Sequence, residues 1–174
     1  MSTDRLLSWG AELRAVHARL REALAVARDN VEDAEPAGPA PRDLLLYCWG
    51  FCSALTGHHR SEDAALFPQI EAAHPDLAPV LRGLTQDHSM LDHLIGNLSR
   101  TLEAGAPRED TLRHLDGIEA VMETHFRFEE KQLISVLDAL ELPGPDRSAA
   151  GSPIGADEPD EAAGDRRHYL GPLA

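Results

Sequence analysis

HHRSEDAALFPQIEAA, residues 58–73, and HFRFEEKQLISVLDAL, residues 125–140, are one passage written twice. They align without a gap: His58 with His125, Arg60 with Arg127, Glu62 with Glu129, Asp63 with Glu130, Leu66 with Leu133, and Ile70 with Leu137. A weaker match precedes each passage, in which Leu13, His17, Leu20 and Leu24 line up with Leu84, His88, Leu91 and Ile95. The chain thus reads as one helical hairpin in two copies. Each copy offers a histidine from its first helix and a His-x-x-x-Glu pair from its second. Residues four apart share a helix face, so His58 can meet Glu62 at one point, and His125 can meet Glu129.

Outward from these passages, prolines and glycines mark the turns. Breaks fall at residues 35–41 (EPAGPAP), 74–76 (HPD), 105–107 (GAP) and 143–145 (PGP). Between them, apolar residues recur at three- and four-residue spacing, which is the amphipathic helix pattern. Helices are predicted near residues 4–30, 42–73, 77–104 and 108–141. Pro41 and Pro107 sit where a first-turn proline is tolerated, whereas Pro68 should loosen the end of the second helix. The fold class is all-α: an up-and-down four-helix bundle over residues 1–142. Residues 143–174, rich in Pro, Gly, Ala, Asp and Glu, read as a disordered acidic tail. Residues 168–170 (HYL) form an apolar patch there that could dock. Removing everything after Leu142 is expected to spare both the fold and the metal, since every candidate ligand precedes the break at 143–145.

Composition narrows the function classes. Thirty acidic against sixteen basic residues give the 174-residue chain a charge of −14, which disfavours nucleic-acid partners. No apolar run reaches the ~18–20 residues of a membrane span, and residues 1–7 lack a basic-then-apolar export pattern, so a cytoplasmic location is expected. Cys48 and Cys52 stack on one helix face and read as buried small residues, not a redox pair. Nine histidines are more than packing needs.

Four of those histidines share a layer. His17, His58, His88 and His125 each lie among apolar residues of their own helix face, such as Leu13, Leu55, Leu91 and Ile118. Phe128 and Val121 are read as flanking His125. Counting from shared turns, His58 lies about 15 residues before one and His88 about 11 after it, which puts them at similar depth in an antiparallel pair. Buried carboxylates are costly unless paired or metal-bound, and no Arg or Lys occupies the stacked positions. Glu62 and Glu129 among four imidazoles therefore point to cations. Histidine and carboxylate suit iron, zinc or manganese. There is no His-Glu-x-x-His, Cys-x-x-Cys or Gly-rich phosphate loop, and the one Glu-x-x-His, at Glu71 and His74, lies at a turn.

The pattern His17 … His58-x-x-x-Glu62 … His88 … His125-x-x-x-Glu129 resembles the hemerythrin-like (HHE cation-binding) domain over about residues 5–141. The resemblance implies two non-haem iron ions, oxo- or hydroxo-bridged, in preference to zinc or manganese. It implies Glu62 and Glu129 as bridges and His17, His58, His88 and His125 as terminal ligands. Oxygen-carrying hemerythrins place a second histidine four residues after the one on the third helix, where this chain has Asp92. They also use a carboxylate five residues after the last histidine, which here is Glu130, whereas Glu129 matches the shorter HHE spacing. His59, Asp92 and Glu130 are further candidates as ligands or as groups that hold a ligand. His93 reads as a surface residue and His74 as a turn residue, Tyr47 lies three turns from His58, and His114 lies about 16 Å from His125 along the helix. Fewer histidines than in the oxygen carriers favour a protein that binds or reacts with oxygen, peroxide or nitric oxide in oxidative or nitrosative stress defence. Such an enzyme would be peroxidase- or catalase-like, or would consume nitric oxide. The alternatives are an oxygen or redox sensor or carrier without turnover, and an iron storage or delivery protein. Expected partners are one of those small molecules and, through the tail, another protein; nucleic acid and membrane are not expected.

Overall fold

The structure, a computed structural model, describes residues 9–33, 42–139 and 169–171. Among these residues every regular element is a helix: α1 (Trp9–Glu32), α2 (Arg42–Ser61), a π-helical turn (Glu62–Leu66), α3 (Phe67–Ala73), a 3-10 turn (Pro75–Leu77), α4 (Ala78–Glu103) and α5 (Arg108–Leu137). α2, the π turn and α3 run on without a break and fill one position of the bundle. α1 packs on α2 and α5, and α4 packs on α5 and α2, so helices adjacent in sequence are neighbours in space and the ring of four closes. None of the described helices is long and apolar enough to cross a membrane.

The core is a leucine lattice. Leu13, Leu20, Leu55, Leu66, Leu84, Leu91, Leu115 and Leu133 are fully buried. Each contributes roughly 1.5–3 kcal/mol by leaving water. The expected break at 105–107 is built as the sequence suggests: Gly105 takes φ +61, open to glycine at little cost, and Pro107 precedes α5 in an extended conformation. At the outer edge, Arg28 of α1 reaches Asp116 and Glu119 of α5.

Pro68 acts earlier than at its own position. Lacking an N–H, it cannot continue the α-helical ladder, and the turn just before it widens so that the Phe67 N–H bonds to the Glu62 carbonyl. Such π turns accommodate an interrupted ladder and recur at functional sites. Here the turn begins at Glu62.

Most of the tail predicted over 143–174 lies outside the described residues, but residues 169–171 depart from the disorder expected of it. Tyr169 and Leu170 are buried, and the Tyr169 ring meets Trp9 edge-on at 5.5 Å between centroids. The apolar patch docks because two large side chains gain cover on the bundle that the surrounding Pro/Gly/Asp-rich sequence cannot give them.

Candidate metal centre

The six side chains singled out by spacing, His17, His58, Glu62, His88, His125 and Glu129, are all buried at one level of the bundle. The two glutamates lie between the histidines. Glu62 Oε1 is 3.3 Å from His58 Nε2, and its Oε2 is 3.5 Å from His88 Nε2. Glu129 Oε2 is 3.3 Å from His17 Nε2 and 3.7 Å from His125 Nε2. Each carboxylate thus faces both hairpin copies.

His59 joins them. It is 2% exposed and stacks on His88 at 4.1 Å between ring centroids. Two neighbouring groups result: His17, His58, Glu62 and Glu129 in one, and His59, His88 and His125 in the other. Within each group one ligand atom per residue lies within 4.8 Å of all the others. His58 and His59 are about 100° apart around α2, which sends one ring toward His17 of α1 and the other toward His88 of α4.

The inward atoms have no protein partner. Nε2 of His17, His58, His88 and His125, both nitrogens of His59 and all oxygens of Glu62 and Glu129 are buried without a hydrogen bond. An orphaned buried polar atom costs about 1–3 kcal/mol, and more when charged. Orphans concentrated on imidazole nitrogens and carboxylate oxygens form a donor set suited to divalent cations. The protonation tendencies agree. Burial, reinforced by Glu129, pushes the Glu62 carboxyl well up, and burial pushes His58 down to about 3. Burial also lowers His59 and His125. Burial works against charge on Glu129 and His17 too, but their close approach at 3.3 Å, with Glu130 on the other nitrogen of His17, outweighs it, lowering the carboxylate and raising the imidazole.

The outer nitrogens of His17, His58 and His88 are held. His17 Nδ1 pairs with Glu130 at 2.8 Å and His88 Nδ1 with Asp63 at 2.9 Å. His125 Nδ1 faces Asp87 at 3.5 Å, longer than a hydrogen bond. His58 Nδ1 donates to the Leu170 carbonyl at 2.8 Å. Partners of this kind fix ring orientation and tautomer in metal sites. Glu130 therefore sits as the holder of His17, not among the inward atoms, and it is braced in turn by Arg21 at 3.5 Å.

Two sequence expectations fail. Asp92 is exposed and accepts a hydrogen bond from Thr56 at 3.3 Å. The buried face of α4 is centred on the Leu91 side of His88, which leaves Asp92 on the flank. Phe128 is 41% exposed, and the aromatic neighbour of the site is Phe126, stacked on His17 at 3.8 Å and 7°. The buried face of α5 is centred between His125 and Phe126, and Phe128 falls about 110° from its middle. Phe126→Ala is expected to cost about 3–5 kcal/mol in urea unfolding. A loss under about 1 kcal/mol would show that the stack carries no packing energy. His93 is exposed, and His114 and His74 are half-buried, outside both groups.

Asp63, Asp87 and the Leu170 carbonyl are functional neighbours that spacing alone misses. The repeat does signal Asp63, which aligns with Glu130 and does for His88 what Glu130 does for His17.

Five imidazoles and two carboxylates in two adjoining groups inside a helical bundle define a class, the histidine–carboxylate cation-binding bundles. The family model of the Hemerythrin HHE cation binding domain matches residues 11–137, and the chain belongs to that family. No curated protein and no solved structure matches the chain.

Proposed function

We propose that this chain holds a pair of non-haem iron ions and reacts with small oxidants: oxygen, peroxide or nitric oxide. The observation that carries the reading is the set of partnerless inward atoms on seven buried side chains, arranged as two neighbouring groups, with Glu62 and Glu129 of the first also facing His88 and His125 of the second. His17 and His58 would hold one ion, and His59, His88 and His125 the other. The two glutamates would serve both. Bound iron would supply one-electron redox chemistry and open coordination positions for a small ligand. The His17/His58 side offers one imidazole fewer, so it has more room for such a ligand.

The protein's own groups prepare the place. Leu20, Leu55, Leu91 and Phe126 are fully buried and keep bulk water away. Glu130 and Asp63 hold the outer protons of His17 and His88, so the inner nitrogens stay available. The π turn sets Glu62 where its two oxygens face opposite hairpins.

The test is iron analysis of protein expressed with iron, followed by stopped-flow mixing of the reduced protein with oxygen, peroxide and nitric oxide. Uptake near two irons per chain with consumption of any of the three supports the reading. A long-lived oxygen adduct released under vacuum would make the protein a carrier, and a folded chain that refuses iron would overturn the proposal.

A further inference from the structure

The histidines of the centre are not braced alike. Carboxylates stand at the outer nitrogens of His17, His88 and His125, contributed by Glu130, Asp63 and Asp87. His58 has a backbone carbonyl, that of Leu170, at 2.8 Å. The internal repeat supplies the reason. His17 aligns with His88 and His58 with His125, so the residue matching Asp87 is Val16. Val16 is fully buried and offers no acceptor. One hairpin copy has a carboxylate facing this position, Asp87 at 3.5 Å from His125, whereas in the other His58 finds its acceptor at the far end of the chain.

The C-terminal residues are shaped for that contact. Tyr169 lies against Trp9, and Leu170 is fully buried. Gly171 has φ +87, and a Cβ there would come 2.6 Å from His58 Cα and 2.9 Å from its backbone nitrogen. The segment therefore lies directly on the backbone of α2 at His58, at a distance only glycine permits. A carbonyl can only accept. It therefore fixes the His58 proton on Nδ1 and leaves the Nε2 lone pair facing Glu62, 3.3 Å away.

We propose that residues 169–171 are a positioning strap for the centre, and that the Leu170 carbonyl sets how firmly the His17/His58 half retains its ion. This rests on the cation-site reading above. A neutral carbonyl raises imidazole basicity less than a carboxylate does, so within this half His58 depends on a weaker brace than His17, which has Glu130. The brace of His58 also lies outside the four bundle helices, so it can be altered without substituting any residue of them.

Two full-length variants test the strap by independent routes. Gly171→Ala drives a methyl group into the His58 backbone, and Tyr169→Ala removes the packing on Trp9. In metal-free protein the His58 Nδ1–H should give a slowly exchanging imidazole resonance, assigned by its loss in His58→Ala. That resonance should disappear in both strap variants while helical circular dichroism is unchanged. After loading with ferrous iron, each variant should lose one of its two ions to a chelator about 10–100-fold faster than the unaltered chain, with the second ion released as before. Persistence of the resonance in both variants, or its loss with iron release unchanged, would overturn the proposal. So would collapse of helicity in both, which would make the segment part of the fold. An unaltered chain that takes up no iron would sink the cation reading instead, while the resonance in metal-free protein still reports the strap contact.

Discussion

Glu62→Gln is expected to empty the centre and, in the metal-free state, to make the protein more stable. The two effects pull in opposite directions if Glu62 is kept for a cation, because nothing in the fold itself satisfies it. It is fully buried, both its oxygens lack partners, and burial and the neighbouring Glu129 push its carboxyl well above the usual range. Glutamine keeps the volume, needs neither a buried charge nor a proton taken up on folding, and can donate an N–H to Glu129. The gain in urea unfolding of chelator-treated protein should be about 1–3 kcal/mol. Because Glu62 faces both His58 and His88, iron content should fall for both ions together. His93→Ala and His114→Ala, outside both groups, should keep their iron. A less stable metal-free Glu62→Gln protein that still binds iron would mean that the buried layer is a structural polar network.

The fold was legible because its punctuation is local. Pro107, Gly105 and the three- and four-residue apolar spacing are short-range signals, and α4 and α5 begin and end close to where they place them. The start predicted at residue 4 and the end predicted at 141 lie outside the described residues. The π turn was only half legible: Pro68 announces trouble in the ladder, but where the backbone absorbs it depends on packing. In the site, the histidine–glutamate pairs follow from helical spacing, and their common depth follows from counting residues to shared turns. His59 was open because one of two adjacent residues normally faces inward. Both do here because the paired groups straddle α2. Asp92 was a transfer from a related pattern, and the rotation of α4 about its own axis decides against it. The Leu170 carbonyl left no trace in side-chain chemistry, since any residue carries one and this one lies 112 positions from His58.

The repeat also explains why the centre needs both halves. Glu130 of the second copy holds His17 of the first, and Asp63 of the first holds His88 of the second. The inner contacts cross in the same way, Glu129 to His17 and Glu62 to His88. One hairpin alone would carry its His-x-x-x-Glu pair without the groups that orient the opposing imidazoles, so site assembly and closure of the bundle are a single event.

That coupling sets the second large effect: loading with ferrous iron is expected to raise the melting temperature strongly, and more so at higher pH. A ligand that binds only the folded state at about a thousandfold over its dissociation constant adds about 4 kcal/mol. Two ions would add about twice that, and a domain near this size gains roughly 2–4 °C per kcal/mol, which gives an increase of roughly 15–30 °C. The pH dependence follows from which groups must give up a proton. His58, His59 and His125 have lowered pKa values and are already neutral near neutral pH. Glu62 and His17 are raised, so each holds its proton to higher pH than usual, and an ion must compete with that proton as pH falls. Uptake therefore releases protons, and the stabilisation should shrink as pH falls from about 8 toward 5. Anaerobic scanning calorimetry with and without ferrous iron at both ends of that range measures it. A melting temperature indifferent to iron would remove the link between site and fold, and a gain that grows on acidification would place the expelled protons on the wrong side chains.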